Sequence, residues 1–212
     1  MIPGKLNNVL VLAPHTDDGE LGAGGTISYL LGQKANIYYA AFSTAKDSVP
    51  QGMPKDILKT EVREATHQLG IEEKNLIIFD YQVRKLNYYR QEILEDLIRL
   101  RNNILFDLVL MPCLNDIHQD HLTISQEGLR AFKTTSILGY ELIWNNLTFN
   151  TTCFVRLEEH HLESKINALK CYRSQKGRDY VKPEFIKSLA MTRGVQIGTK
   201  YAEAFEVIRW II

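Results

Sequence analysis

Apolar residues in this chain alternate between short unbroken runs and longer stretches in which they recur every three or four positions. The first run, Asn8 to Ala13, contains Val9, Leu10, Val11 and Leu12 without a polar interruption, as expected of a strand covered on both faces of a parallel sheet. Pro14 ends it. Beyond it, the glycine-rich stretch Leu21 to Thr26 leads into Ile27, Tyr29, Leu30 and Leu31 at helical spacing. Asn36 to Phe42, Leu76 to Phe79 and Phe106 to Met111 repeat the buried-strand pattern, the last stopped by Pro112. A helix is predicted between the second and third runs, with Pro54 in its first turn, Ile57, Leu58, Val62, Ala65 and Leu69 on its apolar face, and Gly70 at its end. Another covers Arg90 to Asn103, with Ile93, Leu97, Ile98 and Leu100 as its buried stripe.

Strand and helix thus alternate at least four times, the pattern of βαβ units wound into a sheet. The expectation is an α/β fold, a Rossmann-like three-layer sandwich with a mostly parallel sheet, formed as a single domain over residues 1–212. The last third is less regular: extended segments at Ile137 to Leu142 and Thr152 to Leu157, a helix from Leu162 to Arg173, and a strand at Ala204 to Trp210. No internal repeat or low-complexity linker divides the chain.

Charge is balanced, with Lys+Arg 25 against Asp+Glu 25, which argues against a nucleic-acid or anionic-membrane partner, since binders of phosphate backbones carry a basic excess. No apolar stretch reaches the ~20 residues of a membrane span, and the first residues lack a basic-then-apolar leader pattern, so a cytoplasmic location is expected. Cys113, Cys153 and Cys171 are few, odd in number and widely spaced, as suits reduced thiols.

The chemistry is concentrated in two clusters. His15-Thr16-Asp17-Asp18-Gly19-Glu20 follows the first strand, and Asn115-Asp116-Ile117-His118-Gln119-Asp120-His121 follows the fourth. Loops at the carboxyl ends of parallel strands emerge at one sheet edge, where ligands bind at a switch in strand order, so the clusters can meet. Their imidazoles and carboxylates suit zinc or a similar divalent cation, and a catalytic site of that kind uses three protein ligands, here two histidines and one carboxylate. His15 and Asp18, three apart, can both turn inward, while Asp17 is left beside the cation's water as its base. Of His118 and His121, also three apart, one is expected to bind the cation and the other to face substrate. An acidic pair before a helix would by itself only cap it. The second histidine-bearing cluster at another strand end makes a site the stronger reading.

These residues resemble the LmbE/PIG-L-like family of zinc-dependent N-acetylglucosaminyl deacetylases. The family's first motif is a His, a variable residue, then Asp-Asp with Glu following; its second is His-x-Asp-His. Both occur here in order. Gly24-Gly25-Thr26, Tyr172-Arg173-Ser174-Gln175, Arg193-Gly194 and Tyr201-Ala202-Glu203-Ala204-Phe205 extend the resemblance over most of the chain. It implies zinc on His15, Asp18 and His121, Asp17 as general base, His118 polarising the substrate carbonyl or protonating the amine, and Asp120 orienting His118. It further implies an N-acetylated amino-sugar substrate or conjugate, and makes a homo-oligomer plausible.

Two departures stand out. Gly19 separates the acidic pair from Glu20. The arginine that many members carry near the start of the second helix is replaced by Leu58, which leaves Arg84, then Arg63 or Lys59, as candidates to hold substrate. Selectivity for the acceptor is expected in segments 45–53 and 145–152. Three other functions compete: an amidohydrolase of another N-acyl substrate, a non-catalytic zinc or carbohydrate binder, and a dinucleotide-binding module. The last is disfavoured because Ile27 stands where the third glycine of G-x-G-x-x-G belongs and no acid closes the second strand.

Overall fold

The computed structural model describes residues 6–211. Seven strands form one sheet: β1 (Asn8–His15), β2 (Asn36–Ser43), β3 (Leu76–Ile78), β4 (Leu108–Pro112), β5 (Ser136–Tyr140), β6 (Cys153–Leu157) and β7 (Tyr201–Arg209), in the order β3-β2-β1-β4-β5-β7-β6. The first five are parallel, and β7 runs against its neighbours β5 and β6. Among the described residues, six α-helices cover the sheet: α1 (Asp18–Gly32), α2 (Ile57–Leu69), α3 (Arg90–Asn103), α4 (Gln119–Ala131), α5 (Glu159–Leu169) and α6 (Pro183–Val195).

The pleat sorts the apolar run of β1 into two cores. Val9, Val11 and Ala13 face a core shared with α1, α2, α5 and α6, whereas Leu10 and Leu12 face one shared with α3 and α4. The chain has the expected three-layer α/β architecture. Among the described residues, no helix is long and apolar enough to cross a membrane.

Several boundaries differ from expectation. β3 is an edge strand whose three residues are half-buried rather than covered on both faces. Pro54 lies in a turn before α2, its carbonyl accepting from Ile57 N–H at 3.0 Å, while Gly70 ends that helix with a left-handed φ of 96°, as the sequence predicts. α5 begins three residues early, where Glu158 and His161 form a capping box, and ends at Leu169. Tyr172 leaves that helix to reach the first loop of the site. β7 starts at Tyr201, and α6 was not predicted; its buried residues, Ile186, Ala190 and Gly194, make a narrow stripe.

The largest departure is α1, which starts at Asp18 and therefore takes Gly22, Gly24 and Gly25 into a helix. Glycine disfavours a helix interior by about 1 kcal/mol against alanine, so neighbours must require its absence of Cβ. They do. A Cβ on Gly22 would fall 2.2 Å from the ring of Tyr140, and one on Gly24 2.8 Å from Lys165 Cγ. Lys165 and Glu203 form a buried ion pair at 2.7 Å; Lys165 also donates to the Leu21 carbonyl, while Glu203 accepts from the amides of Gly25 and Thr26. These are groups that a regular helix keeps to itself.

Candidate active site

β1 and β4 are neighbours, yet the chain moves from β1 outward to β3 before crossing back to β4, so the strand order switches direction between them. His15 is the last residue of β1, and the loop after β4 carries Asp116 and His118 into the start of α4. The two clusters meet over this crevice.

Three ligand atoms converge. His15 Nδ1 lies 3.1 Å from Asp18 Oδ2 and 3.2 Å from His121 Nε2, and His121 Nε2 lies 3.3 Å from Asp18 Oδ2. A tetrahedral zinc ion with bonds of about 2.0–2.1 Å places its ligands on edges of roughly 3.3–3.4 Å, so the triangle fits such a cation without rearrangement. His118 also brings a ring nitrogen within 4.8 Å of those of His15 and His121. Its Nδ1, however, accepts from the Asp120 amide at 3.2 Å, and Asp18 completes the tighter set.

Each cation-facing imidazole has a carboxylate behind it. Asp120 Oδ2 is 3.0 Å from His15 Nε2, and Asp116 Oδ2 is 2.7 Å from His121 Nδ1; partners of this kind fix the tautomer and aim the other nitrogen inward. Asp120 thus meets both histidines: its carboxylate faces His15, and its backbone amide, rather than its side chain, holds His118 Nδ1. Asp116 was part of the second cluster but had no assigned role. It also accepts from the His118 amide at 2.8 Å, so one buried side chain meets the backbone of His118 just before α4 and the ring of His121 within it.

Asp17 stands at the N-cap of α1, but its carboxylate makes no cap hydrogen bond to the helix, while Asp18 Oδ2 accepts from the His15 amide at 2.7 Å. Burial and the neighbouring Asp18 charge push the Asp17 carboxyl up to about 6. Asp18 is penalised by burial, but His121 and His15 hold it well below the usual carboxylate range. Burial would depress both cation-facing imidazoles, yet carboxylates overcome it: Asp18 and Asp120 bring His15 to about 9, and Asp18 and Asp116 bring His121 to about 10. His118 lacks such partners, and burial with the charges of His121 and His15 lowers it to about 4.

Under the loop, Glu20 is fully buried and its oxygens meet the hydroxyls of Tyr39 and Tyr172, both of which also reach the Thr16 carbonyl. Burial raises the Glu20 carboxyl to about 8, despite the hydrogen bond from Tyr39. The inserted Gly19 gives its amide to the Tyr39 hydroxyl at 3.1 Å, and a Cβ there would sit 2.5 Å from that ring.

A cavity of about 290 Å³ opens above the triangle, lined by Asp17, His118, Arg84, Leu58, Trp144 and Arg178 among others. Ala45, Ser48 and Asn145 bring the two segments expected to select the acceptor to its wall. Arg63 does not reach it; it faces Glu73 at 4.0 Å on the outside of α2. Tyr201 and Glu203 also lie elsewhere, on Glu159 and Lys165. Trp144, Gln175, Arg178 and Tyr180 were missed as wall residues, since they come from irregular segments without periodicity.

The family described as PIG-L, GlcNAc-PI de-N-acetylase, matches residues 10–132. The chain belongs to this family. PIG-L proteins are deacetylases, hydrolases that act on amide bonds, and the match spans both histidine clusters. A curated relative from Escherichia coli K12, described as uncharacterized deacetylase YaiS, is 31% identical over 176 residues, covering 80% of this chain and 92% of its own. Among solved structures, N,N'-diacetylchitobiose deacetylase from Pyrococcus horikoshii superposes with a TM-score of 0.79 at 21% identity, covering 96% of this chain and 84% of that one. GalB, the 4-carboxy-2-hydroxymuconate hydratase from Pseudomonas putida, reaches 0.76 at 17%, covering 97% and 98%. The last two likenesses show the fold alone, and the hydratase illustrates that one fold carries different reactions.

Proposed function

We propose that this PIG-L family protein is a zinc-dependent hydrolase that removes the acetyl group from an N-acetylglucosamine-type amino sugar or its conjugate. The observation that carries this reading is the triangle of His15, Asp18 and His121 with an unpartnered carboxylate, Asp17, and a neutral imidazole, His118, on the same cavity wall. The three ligands would hold the cation, which when bound supplies an acidified water and positive charge for a developing oxyanion.

The chain's own groups do the rest. Asp17, ionised at neutral pH with its carboxyl near 6, takes the proton of the attacking water. His118 keeps its remaining proton on Nε2, because Nδ1 is engaged by the Asp120 amide, and it donates that hydrogen bond to the acetyl oxygen as negative charge builds there. The amine departs with the proton that Asp17 took from the water, and acetate remains.

Acetate release should be measured from acetylated amino sugars and their conjugates, with and without a chelator. Release that a chelator abolishes and added zinc restores is the expected result. Chelator-insensitive release would overturn the cation's part, and release from no substrate would favour a non-catalytic binding protein.

A further inference from the structure

Most arginines in this chain are occupied. Arg90 and Arg130 meet Glu127, Arg173 meets Glu61 and Glu64, and Arg193 meets Glu141. Arg84, Arg156 and Arg178 are the ones whose side chains make neither an ion pair nor a hydrogen bond among the described residues. Arg156 lies on the outer strand β6, whereas Arg84 and Arg178 both line the site cavity.

Both are exposed and lack counter-ions, Arg84 held through its backbone and Arg178 set beside an aromatic ring. Arg84 follows β3 with a φ of 65°, a left-handed conformation that strains a residue with a side chain and persists only where its surroundings impose it. Its amide donates to Asp120 Oδ2 at 2.6 Å, and its carbonyl accepts from Gln119 Nε2 at 3.4 Å. The Arg178 guanidinium lies 5.9 Å from the centre of the Tyr180 ring, which stacks on Trp144 at 4.3 Å and 14°. With the uncharged Leu58 on the same wall, these two are the arginine or lysine residues lining the cavity, beside the histidines of the site. A guanidinium presents a planar fork of donors that matches carboxylate and phosphate oxygens.

We propose that Arg84 and Arg178 form an oxyanion subsite, so that the substrate carries a carboxylate or phosphate beside its N-acetyl amino sugar. The sugar rests on the deacetylase reading above; the anion rests on the arginines.

Product-side probes separate the two. Calorimetric titration of the zinc-reconstituted protein should compare glucosamine 1-phosphate, glucosamine 6-phosphate and a carboxymethyl glucosaminide with neutral methyl glucosaminide. At least one anionic probe should bind about tenfold or more tightly than the neutral one, and the probe preferred tells phosphate from carboxylate. The double variant R84Q/R178Q, with zinc content and thermal unfolding checked, should bring that ratio within roughly twofold. Equal binding of all four probes, a preference that survives in the double variant, or binding of none would overturn the subsite. If the preference holds while no acetylated counterpart releases acetate, the subsite stands and the deacetylase reading fails.

Discussion

Asp116 and Asp17 lie in the same site and should fail in different ways when altered. Asp116 touches no reacting atom in the proposed chemistry; it aims His121 and holds the His118 amide. Asp116→Asn should therefore weaken zinc binding about 10–100-fold, as loss of such outer partners does, and activity should recover at saturating zinc. Asp17→Asn should bind zinc normally and lose about 10²–10⁴-fold in kcat, because a positioned base contributes that much. Metal content by mass spectrometry beside acetate release tells the two apart; full activity in Asp17→Asn would refute its assignment as base. The sequence showed the histidines and the acidic pair because their spacing is compact. Asp116 was visible as a residue but not in its role, which depends on how the loop after β4 folds back on α4. That Asp120 serves His15 was equally hidden, since the two meet only across the sheet.

Helix α1 shows how strongly neighbours outweigh local preference. Gly22→Ala would gain up to about 1 kcal/mol of helix propensity, yet overpacking against a buried ring costs typically 1–3 kcal/mol. Tyr140 cannot easily retreat, since it is fully buried and its hydroxyl donates to the Leu12 carbonyl at 2.9 Å. The net expectation is a lower thermal midpoint. Gly32→Ala, with nothing within 4 Å, should be neutral or stabilising by up to about 1 kcal/mol. Urea unfolding of both variants checks the contrast, and equal effects would refute it. Strands were legible because β1, β2 and β4 are buried on both faces and so read as unbroken apolar runs. α6 was not, because one narrow stripe of Ile186, Ala190 and Gly194 leaves no clear helical period. The glycine-rich start of α1 read as a turn for the same local reason, until the ring of Tyr140 and the side chain of Lys165 explained it.

The molecule as a whole gathers charge from two distant segments into one buried place, and pH should register that. Before a cation arrives, His15 near 9 and His121 near 10 both carry protons at pH 7, whereas ligation requires neutral imidazoles. Zinc uptake at pH 7 should thus release protons from both histidines, and affinity should rise with pH; calorimetry in buffers of different ionisation enthalpy measures the count. Since both folded values lie above the ordinary 6.5, their contribution to stability is full below about 6.5 and is lost as pH rises through 9 to 10. Protein stripped by a chelator should accordingly melt at lower temperature at pH 9 than at pH 6, a trend that zinc reverses. The sequence revealed the sheet edge where all this happens, but not the cavity walls contributed by Trp144, Arg178 and Tyr180, which depend on how the irregular last third wraps over α1. One carboxylate links the wall to the floor: Asp120 accepts from the Arg84 amide with the same oxygen that faces His15. Substrate choice and cation affinity are therefore not separate dials. Directed evolution of the loop around Arg84 toward a new acceptor should shift zinc retention along with it, and a retargeted enzyme will need both properties selected together.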